Sequence, residues 1–272
     1  LLELSEQAAF YYSRDAIDVI AVADSGLIYR SVNGGAAWTS QALGNKPLRD
    51  VIALGWTIVT VGDSGKIWRS TNSGGTWSVS VASGVPSLKR IESLGGDELI
   101  AVGSAGTALR STNAGATWIP LKTGSTEQLN SVRFLDSQNG WIAGSNGFLA
   151  RTGDGGLSWT PVPLGTANHL NCVDAKGSVV WVVGDDATAF RSTDGGTGWT
   201  QLNLHADARP DVKAVWVQAA DTVYITGGGG FIRRSTNGGN TWTFQPHTLQ
   251  GQTTDMFFIG PNGWVTSNKV RA

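Results

Sequence analysis

The sequence predicts an all-β chain: a seven-bladed β-propeller whose last blade is closed by strands from both chain ends. Three observations carry this. Trp38, Trp77, Trp118, Trp159, Trp199 and Trp242 recur 39, 41, 41, 40 and 43 residues apart, each ending a similar octet. A fixed period near 40 is the mark of a repeat architecture. Upstream of each octet stand the same short runs rich in Val, Ile and aromatics, bounded by Gly, Asp, Asn and Ser, which read as strands and tight turns. No segment carries a sustained 3.6-residue apolar period, so no amphipathic helix long enough to matter is expected. Four short strands per 40 residues is the arithmetic of a propeller blade.

The elements follow in order. AAFYYSRD, at 8–15, is the first inner strand. The second strand, Gly-rich turn and third strand of later units read TIVTVGDSGKIWRST, LIAVGSAGTALRST, GWIAGSNGFLARTG, VWVVGDDATAFRST and VYITGGGGFIRRST. The octets SVNGGAAW, STNSGGTW, STNAGATW, TGDGGLSW, STDGGTGW and STNGGNTW then lead into each fourth strand. In them Asn33, Asn72, Asn113, Asp154, Asp194 and Asn237 hydrogen-bond turn amides, Gly accepts positive φ, and Trp packs beneath the turn. After the sixth octet, TTDMFFIG, GWVTS and NKVRA supply three strands of a seventh unit, and the chain stops before its fourth. Leu1 to Ser5 reads as that missing outer strand. The seventh blade is therefore a composite of 251–272 and 1–5, and 1–272 is one domain. The alternative is a six-bladed ring with a loose C-terminal tail.

Composition agrees. Gly 37 and Trp 12 in 272 residues are the repeat turns and their packing rings, and charged residues make up only 15%. A net charge of −1 and a pI near 6.3 carry no nucleic-acid signature. No run of about 18 apolar residues exists, so no membrane span is expected. One cysteine, Cys172, excludes an internal disulfide and a thiolate metal cluster. No metal or other cofactor is expected.

The octet resembles the Asp-box, or bacterial neuraminidase repeat, S-x-D-x-G-x-x-W, with Asn replacing Asp in four copies and Thr152 replacing Ser. The longer string from Gly140-Trp141 through Arg151 to Trp159 resembles the photosystem II assembly and stability factor propellers and their non-photosynthetic relatives. This likeness covers essentially the whole chain. It implies a non-enzymatic propeller that binds a client protein through an arginine patch and works outside the cytoplasm. The chain begins at Leu1 with neither initiator Met nor signal peptide, so a processed or excised piece is expected.

Catalysis finds little support in the residues. A sialidase needs an Arg triad, a Tyr nucleophile with its Glu, and an Asp; Tyr11, Tyr12, Tyr29 and Tyr224 show no such pairing. His169, His205 and His247 have no metal spacing and read as loop residues. Cys172 reads as a buried structural thiol. GDGG and GGGG precede no helix and hold no phosphate. Asp24, Asp63, Asp185 and Asp186 lie in turns between second and third strands, on the face where propellers commonly bind ligands, although Asp before Ser or Gly is also ordinary turn chemistry.

Arginine is the more informative set. Arg30, Arg69, Arg110, Arg151, Arg191, Arg234 and Arg271 occupy one slot in all seven units. Either each guanidinium braces neighbouring strands, or the ring presents bidentate donors to acidic groups. Arg14, Arg49, Arg90, Arg133, Arg209 and Arg233 fall outside that slot. Arg49, Arg90 and Arg133 begin first strands and are expected to cluster near a central channel. These three, with the four turn aspartates, form the predicted partner-binding set. The expected function is a protein-binding scaffold holding an acidic client on one face. The alternative is a carbohydrate-binding or glycoside-cleaving module, with Trp56, Trp68, Trp181 or Trp216 stacking on sugar.

Overall fold

A computed structural model describes residues 8–11, 18–80, 84–204, 209–247, 251–259 and 262–268. Among them are six four-stranded antiparallel sheets and a two-stranded one, each formed by strands consecutive in sequence. The first sheet is Ala8–Tyr11, Val19–Ala23, Leu27–Ser31 and Thr39–Ala42; the second is Leu48–Leu54, Thr57–Gly62, Ile67–Ser70 and Ser78–Val79. The inner strands of the next four sheets are Leu88–Gly95, Leu129–Phe134, Leu170–Lys176 and Val212–Val217. The seventh sheet pairs Gln252–Ile259 with Asn262–Asn268. The only helical turns among the described residues are single 3-10 turns at Asp63–Gly65, Ser104–Gly106 and Gly228–Gly230, between second and third strands. Residues 1–5, Tyr12, Arg14, His205 and Arg271, and with them the composite closing blade, lie outside the described residues.

Packing follows sheet order. Ile20 and Val22 of the first sheet meet Leu48, Val51 and Ile58 of the second, and Val59 and Val61 of the second meet Leu88, Ile91 and Leu99 of the third. The same pattern repeats until Ala214 and Ile232 meet Met256 and Val265. Trp264 of the seventh sheet then packs on Val19 and Ala21 of the first, with Trp38 and Phe257 against them. The order of contacts returns to its start. The apolar residues of the second strands are nearly all buried because each strand has a neighbouring sheet on both faces.

Glycine closes the second strand of the middle five sheets for a steric reason. A Cβ on Gly103 would stand 2.1 Å from the Ser87 carbonyl oxygen, and one on Gly184 would stand 2.1 Å from that of His169. The connecting segment crosses directly over the strand end, and no larger residue fits.

The octets are local hydrogen-bond knots. In the fifth, Ser192 Oγ donates to Asp194 Oδ1 at 2.8 Å and accepts from the Gly196 amide at 2.8 Å. Asp194 Oδ1 accepts from the Gly198 amide, and Trp199 Nε1 donates to the Gly196 carbonyl. Asn33, Asn72, Asn113, Asp154 and Asn237 use the same side-chain oxygen on the amide four residues on. Asn is therefore an equivalent of Asp here, since a single acceptor oxygen suffices. Where it stays a carboxylate, hydrogen bonds from Ser158 hold the Asp154 acid down at about 2. Ser192→Ala removes a buried hydroxyl that both donates and accepts, and is expected to lower the urea-unfolding free energy by about 1–3 kcal/mol. Ser192→Thr should recover most of that loss, because Thr152 makes the same two bonds in the fourth octet.

Candidate functional site: the central channel and its mouth

Six of the inner strands share a local irregularity that places the site. Five of them pair regularly with their second strands except for one extra residue, with the register skipping between Leu48 and Asp50, Leu129 and Ser131, Leu170 and Cys172, Val212 and Ala214, and Thr253 and Asp255, whereas Ala8–Tyr11 pairs without a skip. The third sheet has the same skip between Leu88 and Arg90. A β-bulge leaves its extra residue unpaired and re-aims its side chain. The six extra residues are Arg49, Lys89, Asn130, Asn171, Lys213 and Thr254. All six line one cavity of about 240 Å³ at the mouth of the channel.

The mouth is a ring of polar side chains with defined partners. Arg49 reaches Asp24 at 2.7 Å and grips Asp63 with two nitrogens at 3.1 and 2.9 Å. That grip holds the Asp63 acid below its ordinary value. Lys213 Nζ lies 2.9 Å from Asp185 and 3.1 Å from Asp211. Asn130 and Asn171 donate to the Leu170 and Val212 carbonyls of the following sheet. Lys89 differs from its neighbours. Among the described residues no carboxylate lies within ion-pair distance of it, and burial first, the Arg49 charge second, hold its ammonium below the ordinary lysine value.

Deeper layers are built from the following strand positions. One residue in from the mouth, Arg90 Nη1 meets Asp255 at 2.6 Å, and its Nε lies 3.7 Å from Asp50. This joins the second, third and seventh sheets. Asp50 itself accepts the Val51 amide and the Ile91 amide of the next sheet. Burial is the largest influence on it and outweighs Arg90, pushing its acid up to about 7. Cys172 sits in the same layer, where burial pushes its thiol up to about 11, which removes it as a nucleophile. Deeper still, Arg133 lies between Glu92, 3.0 Å away, and Asp174, 2.9 Å away. Burial raises both acids above their ordinary range against the pull of Arg133.

The predicted partner-binding residues thus do line the channel, but at successive depths. Arg49, Arg90 and Arg133 form a ladder and not one patch, and each is matched by carboxylates. Asp24, Asp63 and Asp185 sit around the mouth as partners of cations, and Asp186 meets Arg209 on the exposed rim at 3.1 Å. The sequence reading did not single out Lys89, Lys213, Asp50, Glu92, Asp174 or Asp255. A signal for the bulge exists: Leu48 and Val51, Leu88 and Ile91, Leu129 and Val132, Leu170 and Val173, and Val212 and Val215 are buried at a spacing of three, where a regular strand requires two.

Three of the repeating arginines reach into the next sheet and three find partners within their own. Arg30 donates to the Ser73 carbonyl in the next octet and grips Asp18, Arg69 donates to the Ala114 carbonyl, and Arg191 donates to the Gly238 carbonyl. Arg110 pairs with Glu98, and Arg151 and Arg234 lie over the rings of Trp141 and Tyr224. Of the aromatics considered for sugar stacking, Trp181 is buried, Trp68 packs into the core, Trp56 is exposed, and Trp216 is half-buried in the channel. Among the described residues no helix is long and apolar enough to cross a membrane, and no cluster of three or more metal-ligating side chains occurs.

Residues 110–256, more than half of the chain, match the family of the photosynthesis system II assembly factor YCF48. The chain belongs to this family. YCF48 from Cyanidioschyzon merolae matches it with a TM-score of 0.78 at 20% identity, over 96% of this chain and 93% of that one. A structure described as YCF48 bound to D1 peptide matches with a TM-score of 0.82 at 18% identity, over 98% and 92%. A glycoside hydrolase of Niastella koreensis, GH74, matches at a TM-score of 0.57 and 22% identity, over 78% of this chain but 34% of the enzyme. No curated protein matches the chain significantly. These two YCF48 structures are spanned nearly end to end, and the fold they share with the chain is the β-propeller.

Proposed function

We propose that this member of the YCF48 family is a non-catalytic, protein-binding assembly platform that takes an acidic group of its client at the channel mouth. The observation that carries this is Lys89. It is a half-buried ammonium in a mouth where every other cation already has its carboxylates, and an acidic side chain or chain terminus would complete it. The neighbouring Arg49, Asn130, Asn171 and Lys213 offer donors to the same group. The peptide described with the other YCF48 structure supports a client presented as a peptide segment. Family membership also supports a location outside the cytoplasm.

The proposal includes a seven-bladed ring whose last blade is completed by residues 1–5. The packing of Trp264 on Val19 and Ala21 supports it, since those contacts bring the last sheet against the first. One pair of channel carboxylates speaks against a glycosidase reading. Arg133 sits between Glu92 and Asp174, where a sugar ring would have to lie between acid and base.

The test is fluorescence anisotropy with a D1-derived peptide carrying a free terminal carboxylate and with its amidated twin. Binding that weakens with salt and with amidation is expected, together with a loss of about tenfold or more for Lys89→Glu. Equal affinity for both peptides and both proteins would remove the mouth from the proposal.

A further inference from the structure

The far end of the channel holds a larger cavity, about 450 Å³, that the client site above does not use. One wall is aromatic: Trp216, Phe257 and Phe258, with Trp216 and Phe258 ring centroids 5.9 Å apart. The other wall is charged and unbalanced. Asp50, Glu92, Asp174 and Asp255 face it with only Arg90 and Arg133 as cations.

The carboxylate oxygens differ in how they are used. Asp50 spends one on the Val51 amide and one on the Ile91 amide. Asp174 gives Oδ2 to the Val217 amide, while its Oδ1 faces Arg133 Nε at 2.9 Å as an ion pair without a hydrogen bond. Asp255 spends both on Arg90, one of them also on the Met256 amide. Glu92 binds Arg133 through Oε1, and among the described residues its Oε2 accepts no hydrogen bond. It and Asp174 Oδ1 are the open acceptors of a cavity whose carboxylates outnumber its cations.

From this geometry we infer that the cavity is a binding site for a small organic cation, a primary ammonium on a short apolar body. The ammonium bonds Glu92 Oε2 and the body lies against Trp216 and Phe257. Each wall supports one half of that ligand. An anion meets uncompensated carboxylates, and a neutral apolar molecule leaves Glu92 desolvated without a donor. A cation gains from both walls, because aromatic faces also attract positive charge.

Calorimetric titration of the full chain tests this with phenethylammonium, and with 2-phenylethanol and 3-phenylpropionate as neutral and anionic counterparts of similar shape. Phenethylammonium is expected to bind at least tenfold more tightly than the alcohol, with no binding of the acid. Glu92→Gln should remove that preference while leaving alcohol binding in place. N-acetyl-lysine methylamide separates the two sources of such a cation: binding comparable to phenethylammonium identifies a lysine side chain of a partner, and its failure identifies a free amine. Alcohol and ammonium binding equally, or neither binding, would overturn the inference, and this comparison needs only the unmodified protein. Lys89→Glu, at the opposite mouth, should leave all of these affinities unchanged, so a failure here is separable from a failure of the client site.

Discussion

Arg90→Met is expected to cost about 3–5 kcal/mol of folding stability, the range for removing one partner of a buried ion pair. The Arg90 side chain retains 27% exposure, but its partners are more deeply placed, Asp255 at 11% and Asp50 at 7%. Removing the guanidinium strands the Asp255 carboxylate beside Asp50 of another sheet, with neither water nor cation enough to solvate it. Asp255 and Arg90 are 165 residues apart, and their contact ties the third sheet to the seventh. The loss is therefore expected in the cooperative unfolding of the linked sheets and not in the fraying of one of them. Urea denaturation followed by tryptophan fluorescence at neutral pH measures it. Arg90→Met combined with Asp255→Asn should recover most of the loss, because the second change removes the stranded charge and keeps the shape. A single mutant within 1 kcal/mol of the parent would show that water already solvates this layer and that Arg90 is an ordinary surface residue.

The repeat was legible because its signals are local. Ser192, Asp194, Gly196 and Trp199 make their bonds within one octet, so spacing alone exposes them. The bracing arginines were half legible. Their shared slot is visible in sequence, but that Arg30 ends on Ser73 and Arg69 on Ala114 depends on the offset between neighbouring sheets. The channel was least legible. Arg49, Lys89, Asn130, Asn171, Lys213 and Thr254 have no residue type in common, and what unites them is a bulge that shows only as apolar residues spaced by three. The pairing of Arg90 with Asp255 is invisible in sequence because it joins residues 165 positions apart on different sheets. That is why Arg49, Arg90 and Arg133 looked like one patch when read as strand starts: the bulge puts Arg49 at the mouth, and the two residues between the depths of Arg90 and Arg133 carry Arg133 to the far cavity.

Asp50 gives the protein a pH dependence whose sign is fixed by its burial. Its acid stands at about 7 in the folded chain against an ordinary 3.8, with burial as the main cause and Arg90 only partly offsetting it. A group raised on folding contributes stability that is complete below the unfolded value and is lost as pH rises through the folded one. Between about pH 4 and pH 7 the unfolded chain releases this proton while the folded chain still holds it. The difference amounts to roughly 4 kcal/mol for Asp50 taken alone. Glu92 and Asp174, raised by the same cause, act with the same sign. The lowered carboxylates, Asp63, Asp154 and Asp185, act in the other direction but below pH 4. Stability measured by urea should therefore fall from pH 5 to pH 8. Asp50→Asn should flatten that fall, because an amide has no proton to lose. The readout is the slope and not the absolute value, since the amide also gives up one of the two acceptors that serve Val51 and Ile91. Identical slopes in parent and variant would mean that Asp50 ionises normally in the folded ring, with Arg90 compensating it in full at 3.7 Å.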